Sequence, residues 1–297
     1  MVRSNMQMEA ALQPTAWREV QSRITAYAPL LPGTGVSVAL VGCGTSMWLS
    51  CALAALREEV DEGETRGYTP SLWPDRHQPE VAIFMSRTGT TTETVDALRR
   101  VSPGTRTVAI VMERPTPLSD LADDVIHLEF VRESALVQTI FPTTVLMLFR
   151  LFWGCVDPNL AEAAEHALAK PIPDPGRFDH FVFLADGWVR ALAGEAGLKV
   201  QEATALWTEA HVTSEYRHGP ITAASSTTLV WALTPIGHQL REAIEATGAT
   251  VVNAGRDPVV ELACVYQLAA DIAVLRGRDT DAPPHLHRSV ILQEGPT

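Results

Sequence analysis

A short apolar run, Val36-Ser37-Val38-Ala39-Leu40-Val41, stops at Gly42-Cys43-Gly44-Thr45-Ser46 and passes into an alanine- and leucine-rich stretch, Met47 to Leu56. This order of strand, glycine turn and helix restricts the fold more than any other feature. It recurs. Val81 to Met85 is a strand, Ser86 to Thr92 a polar turn and Glu93 to Val101 a helix, with further strands at Thr107 to Met112 and Val125 to Leu128. After Asp157 to Arg177, read as a helix and a proline-rich connector, the pattern starts again. Phe181 to Ala185 ends at Asp186-Gly187 and leads into a long helix through Glu202. Strands at Thr228 to Leu233 and Thr250 to Val252 and a helix from Val259 to Arg276 follow. The strand runs are almost continuously apolar, which predicts parallel sheets covered on both faces. The expected fold is α/β, with two doubly wound three-layer halves. The expected divisions are a helical arm over 1–34, a first domain over 35–156, a connector over 157–177, and a second domain with a C-terminal tail over 178–297.

Charge narrows the function. Among 297 residues, 23 basic against 35 acidic side chains leave a net charge of −12. That argues against nucleic-acid binding through a general basic surface. An anion needs a focused local site instead. Cys43, Cys51, Cys155 and Cys264 form no C-x-x-C pair, so a reduced, cytoplasmic setting is expected. The N-terminus has no signal-peptide core. The apolar stretch Leu136 to Val156 contains Gln138, Thr139, Pro142 and Arg150, and predicts a buried helix rather than a membrane span. His285 and His287 stand two apart without a matching Cys or acidic cluster, so no metal is expected, and no cofactor.

Two turns of the first half suit an oxyanion. Gly42 to Ser46 opens a helix, whose N-terminus offers unpaired N–H donors. Ser86 to Thr92 presents six hydroxyl or guanidinium side chains in seven positions. Such a turn can surround a phosphate with neutral donors plus Arg87. The plainer alternative is a tight turn and a set of helix caps. Two such turns after strands of one α/β half favour the ligand reading. Neither a P-loop nor a full G-x-G-x-x-G is present.

Gly42-Cys43-Gly44-Thr45-Ser46, Ser86-Arg87-Thr88-Gly89-Thr90-Thr91 and Glu215-Tyr216-Arg217-His218-Gly219-Pro220 together resemble the sugar isomerase (SIS) domain family. The resemblance is to the tandem pair of SIS domains in the isomerase half of glucosamine-6-phosphate synthase. It extends to the arm Glu9 to Pro14 and to Asp279-Thr280-Asp281-Ala282-Pro283 near the end. It implies that Thr45, Ser46, Ser86, Arg87, Thr88 and Thr91 hold a sugar phosphate, and that Leu136 and Gln138 line the sugar. It further implies that Glu202 moves the sugar proton, with Lys199 and Glu195 on the same helix. His218 would help to open the ring across a homodimer interface. Arg288 stands where the family pattern has an imine-forming lysine, and arginine forms no useful Schiff base. No glutaminase domain precedes the chain, so synthesis from glutamine is not expected.

The chemistry of these residues is consistent with those roles. Lys199 and Glu202 are three apart on a helix and share a face, with Glu195 one turn earlier. A surface salt-bridge ladder is the bland alternative. Yet Lys199 is one of only two lysines in a chain rich in arginine. A carboxylate can act as general base on the C2 proton of an open-chain sugar, and an imidazole can shuttle the ring-oxygen proton. Three outcomes stay open. An isomerase/deaminase acting on an aminohexose 6-phosphate comes first. A dehydratase eliminating the C3 hydroxyl of N-acetylglucosamine 6-phosphate is the rival. A non-catalytic sugar-phosphate sensor is the third.

Overall fold

The computed structural model describes residues 3–74, 76, 78–170 and 174–292. The chain separates into two compact units. One gathers Ala16–Arg132, Thr144–Val156 and the chain from His285 onward. The other gathers the first residues up to Thr15, Glu133–Thr143 and Asp157–Pro284. The helices α1 (Asn5–Tyr27) and α5 (Ile140–Phe152) are each divided between them. The residue ranges thus differ from linear divisions at 34, 156 and 177. The arm's first turns and the segment 133–143 go with the second sheet, and the tail goes with the first.

The first unit is built on β1 (Val38–Val41), β2 (Thr65–Tyr68), β3 (Val81–Met85), β4 (Arg106–Val111) and β5 (Asp124–His127). All pairings are parallel, in the order β2-β1-β3-β4-β5. The helices α2 (Thr45–Glu59), α3 (Thr92–Arg99) and α4 (Pro117–Leu121) follow β1, β3 and β4. On one face, Ala39, Val41, Ala82, Phe84, Ala109 and Val111 pack with Val95, Leu98 and Leu118 of α3 and α4. The alternate positions Val38, Leu40, Val81, Ile83, Val108 and Ile110 are buried as well. Burial on both faces is why these strands read as unbroken apolar runs.

The second unit contains α6 (Leu160–Leu168), β6 (His180–Ala185), α7 (Arg190–Thr204), β7 (Trp207–Val212), β8 (Thr228–Ala232), α8 (His238–Glu245), β9 (Thr250–Val252) and α9 (Pro258–Leu275). Its sheet is again parallel, ordered β7-β6-β8-β9. Val182, Leu184, Val230 and Ala232 meet Leu240 and Ile244 of α8. The run of small residues in α7 (Ala193, Gly194, Ala196, Gly197) lets that helix lie against β6 and β7. Among the described residues, α9 is the one helix long and apolar enough to cross a membrane, and 72% of it is buried inside the fold.

The fold is therefore α/β, with two parallel sheets flanked by helices, as the sequence predicts. Four elements were not anticipated. β2 and β7 are edge strands, and edges escape the all-apolar rule: Thr65-Arg66-Gly67-Tyr68 and Trp207-Thr208-Glu209-Ala210-His211-Val212 interleave polar residues with apolar ones. The other two are short helices, α4 after β4 and α8 between β8 and β9. The helix expected over 136–156 begins only at Ile140, and residues 136–139 are loop. The expected helix of 157–177 is α6, while Pro171 and Pro173 of its connector lie outside the described residues.

Candidate functional site

In the first unit, β1 and β3 are paired neighbours, Val41 against Phe84. The chain leaves β1 toward β2 on one side and β3 toward β4 on the other. Open parallel sheets bind ligands beyond the carboxyl ends of strands at such a reversal of direction. The two oxyanion-type turns are the ones that follow β1 and β3.

The first turn is tight. A Cβ on Gly42 would stand 2.3 Å from the Cβ of Ser46, so only glycine lets the strand turn directly into α2. Gly44 N-caps that helix, and Thr45 and Ser46 are buried at its start. In the second turn Ser86, Arg87 and Thr88 are buried. Gly89 has φ +65°, a conformation glycine adopts without strain. The Ser86 hydroxyl accepts from Gly89 N–H at 3.1 Å. That of Thr88 accepts from the Thr90 hydroxyl at 3.0 Å. A hydroxyl that only accepts keeps its own proton to donate, so both can still give a hydrogen bond to an anion.

The tail is tied to this turn. Ser289 Oγ lies 2.9 Å from the Thr90 hydroxyl oxygen, and the carbonyl of Val290 accepts from Thr92 N–H at 3.1 Å. Leu292 N–H donates to Thr92 Oγ1 at 2.9 Å. Arg288, just before, forms an exposed ion pair with Glu113 at 2.7 Å. Sequence reasoning missed Thr90 and Thr92 as partners of the tail residues Ser289, Val290 and Leu292, because nothing in a linear motif says which turn a distant tail will meet.

In the second unit, α7 carries Glu195, Lys199 and Glu202 on one face. Glu195 and Lys199 are fully buried, and Glu202 is partly open, its side chain 17% exposed. The Lys199 ammonium lies 3.5 Å from Glu195 Oε1 and bonds to Glu202 Oε2. A surface ladder would be solvated, and this one is not. Tyr266 of α9, also fully buried, donates its O–H to Glu195 Oε1 at 2.9 Å. Burial, and then the negative charges of Glu195, Glu202 and Glu133, hold the Tyr266 hydroxyl well above its ordinary pKa. It stays a donor.

Leu136 and Gln138 sit on a loop whose ends are fixed by two buried carboxylates. Glu9 of α1 accepts the N–H groups of Ser134 and Ala135. Glu133 accepts the N–H groups of Thr139 and Ile140 and so caps α5. Burial pushes the Glu9 carboxyl up, against the pull of the Ser134 N–H. One turn on, Gln13 Oε1 accepts from the Thr143 hydroxyl at 3.0 Å. These contacts account for the Glu and Gln of the Glu9-to-Pro14 arm. Between the anchors, Gln138 Oε1 is buried and accepts no hydrogen bond among the described residues.

His218 is on a separate element. It is exposed on a single 3-10 turn, Ser214–His218, and no hydrogen bond or ion pair joins it to Glu202 or Lys199 among the described residues. A cavity of about 430 Å³ elsewhere in the unit is lined by Trp231, Arg256, Cys264 and Asp271. Arg256 is bidentate to Glu261, and Gln7 and Gln267 both donate to Asp271.

Parallel sheets with hydroxyl-rich turns at a switch point make this an α/β protein with two parallel sheets. Known proteins share that architecture. A glucosamine-6-phosphate deaminase structure from Thermotoga maritima is 26% identical, with a TM-score of 0.83 over 97% of this chain and 100% of that one. A tagatose-6-phosphate ketose/aldose isomerase from Escherichia coli, 17% identical with a TM-score of 0.74, shares the fold over 98% of this chain and 96% of that one. The glutamine–fructose-6-phosphate aminotransferase (isomerizing) of Methanothermobacter thermautotrophicus is 23% identical over 86% of this chain and 52% of its own length. The Gluconobacter oxydans protein of the same name is 23% identical over 98% of this chain and 59% of its own length. The chain thus spans a little over half the length of the curated relatives it matches. No family model matches it. These similarities show that the chain shares its fold with solved phosphosugar isomerase and deaminase structures.

Proposed function

We propose that the protein is an amino-sugar 6-phosphate isomerase/deaminase. The observation that carries this reading is the buried Lys199 paired with the partly open Glu202 on α7. A buried ammonium beside an accessible carboxylate suits proton transfer next to a carbonyl. The turns after β1 and β3, with Thr45, Ser46, Ser86, Arg87, Thr88 and Thr91, take the role of phosphate anchor. Gln138 Oε1 suits a sugar hydroxyl donor. Glu202 removes the C2 proton of the open-chain aldehyde, leaving an enol at C1 and an amine at C2. Returning the proton to C1 gives a C2 imine, and water hydrolyses it to a ketose and ammonia. The similarity to the Thermotoga maritima deaminase over nearly all of both chains supports the same reading.

Arg288 favours a second reading. Without an imine-forming lysine at that position, C2 deprotonation of an N-acetylated sugar leads to loss of the C3 hydroxyl as water. Incubation with glucosamine 6-phosphate and N-acetylglucosamine 6-phosphate in deuterated water, followed by proton NMR and mass spectrometry, tests both. Ammonia and a ketose from the first substrate are expected. Loss of water with an olefinic signal from the second would replace that reading by the dehydratase. No exchange at C2 of either would overturn both and leave a non-catalytic sensor.

His218, exposed on its turn, belongs in this reading as a ring-opening residue supplied within a homodimer. Light scattering should then report a dimer, and a fully active monomer would remove His218 from the proposal.

A further inference from the structure

Tyr266 completes a chain of four groups in the second unit. Its O–H donates to Glu195 Oε1 at 2.9 Å, the same oxygen lies 3.5 Å from Lys199 Nζ, and Lys199 bonds to Glu202. Two carboxylates on α7 therefore share one buried ammonium. How the ammonium divides itself between them depends on what else satisfies Glu195. Within reach of this cluster, α7 contributes Glu195, Lys199 and Glu202, the 133–139 loop contributes Glu133, and α9 contributes Tyr266. Glu9 of α1 lies beyond, acting on the loop. Lys199 is thus a cation among three carboxylates, and a neutral donor to Glu195 bears directly on how its charge is shared.

We propose that Tyr266 is a positioning residue for proton transfer. By donating to Glu195 it lessens that carboxylate's hold on Lys199, and so leaves the ammonium directed at Glu202. The hydroxyl is locked in the protonated, donating form by burial and by the facing carboxylates. The inference rests on the reading of Glu202 as the base.

The sign of the effect follows from the geometry. Without the Tyr266 hydroxyl, Glu195 draws Lys199 more strongly, less positive charge faces Glu202, and its ionised form is less favoured. The acid limb of kcat/KM should move upward. A net hydrogen bond of about 1 kcal/mol, set against 1.36 kcal/mol per pH unit, gives a shift of about 0.7 unit. Glu195→Gln acts in reverse, because one competing carboxylate is removed, and its limb should move downward.

The test is the pH dependence of kcat/KM for the wild type, Tyr266→Phe, Glu195→Gln and Glu202→Gln, using whichever 6-phosphate shows C2 exchange. The substrate phosphate titrates identically in all four, so only differences between them report the cluster. Opposite shifts in Tyr266→Phe and Glu195→Gln, with KM nearly unchanged in Tyr266→Phe, are expected. A purely structural tyrosine would lower the melting temperature and leave the limb in place, which would overturn the proposal. Shifts of the same sign in both variants would overturn it too. Full turnover by Glu202→Gln would instead remove the reading beneath it, and the two failures are distinguishable.

Discussion

Lys199 is sealed from solvent and bonded to Glu202 one turn along α7, while Glu195 approaches the same ammonium from the turn before. A lone ammonium could not be buried there at tolerable cost, so the two carboxylates are what allow the lysine inside. The arrangement fixes the rotamers of three ionisable groups on a helix that is itself packed against β6 and β7. Precise placement of reacting groups is what such packing contributes to catalysis.

Removing the cation should therefore be costly. Lys199→Met leaves Glu195 buried beside Glu202 without their shared ammonium, and about 3–5 kcal/mol of folding stability should be lost. Urea unfolding measures this. The double variant Lys199→Met/Glu195→Leu should recover part of the loss, because the orphaned charge is gone. An unchanged midpoint in Lys199→Met would contradict the burial described.

Glu202→Gln separates chemistry from stability. The amide removes one of the two carboxylates on the buried Lys199 but leaves Glu195 in place, so the unfolding midpoint should fall by less than in Lys199→Met. Turnover should fall by about 10²–10⁴-fold, the usual contribution of a positioned general base. Binding of the sugar phosphate, read by calorimetry, should persist.

The turn after β3 has its own sensitive point. A Cβ at Gly89 would sit 2.2 Å from Thr116 Oγ1, at a φ of +65° that L residues rarely adopt. Gly89→Ala should cost about 1–3 kcal/mol of stability. KM for the 6-phosphate should rise more than kcat falls, because Ser86 and Thr88 would be displaced. Equal KM values for the two proteins would separate this turn from the phosphate.

Acid stability should register Asp123. The backbone N–H of Thr107, and then its hydroxyl, hold the Asp123 carboxyl below the ordinary carboxylate range. A folded-state pKa below the unfolded one means stability that is present above the usual carboxylate pKa and is lost as pH falls through the lowered value. Asp123→Asn should remove this component. A plot of melting temperature against pH should be flatter on its acid side for the variant. Parallel curves would show that the clasp between β4 and the turn before β5 contributes nothing.

The legibility of these features varied with how local they are. The turns after β1 and β3 could be read directly, because an apolar strand followed by glycine and hydroxyls needs no distant partner. The spacing of Glu195, Lys199 and Glu202 put them on one helix face. That spacing left their solvent exposure undecided, and burial is what separates this cluster from a surface ladder. Tyr266 carried no local signal at all. It sits 71 residues from Glu195 inside an apolar helix, where a tyrosine reads as core. Glu9 was visible as part of a motif, but its purpose depends on Ser134 and Ala135, more than a hundred residues away.

By itself the sequence determined the periodic features: which runs are strands, that the sheets are parallel, and which strands end in glycine- and hydroxyl-rich turns. Each of these follows from side-chain periodicity or from the few residues that tolerate a sharp turn. Tertiary structure alone decided that β2 and β7 complete the sheets, that Ser289 and Val290 bond to the turn after β3, and that Tyr266 meets Glu195. Those outcomes depend on long-range packing, in which a residue's burial and partners are set by chain segments that its own neighbourhood does not encode.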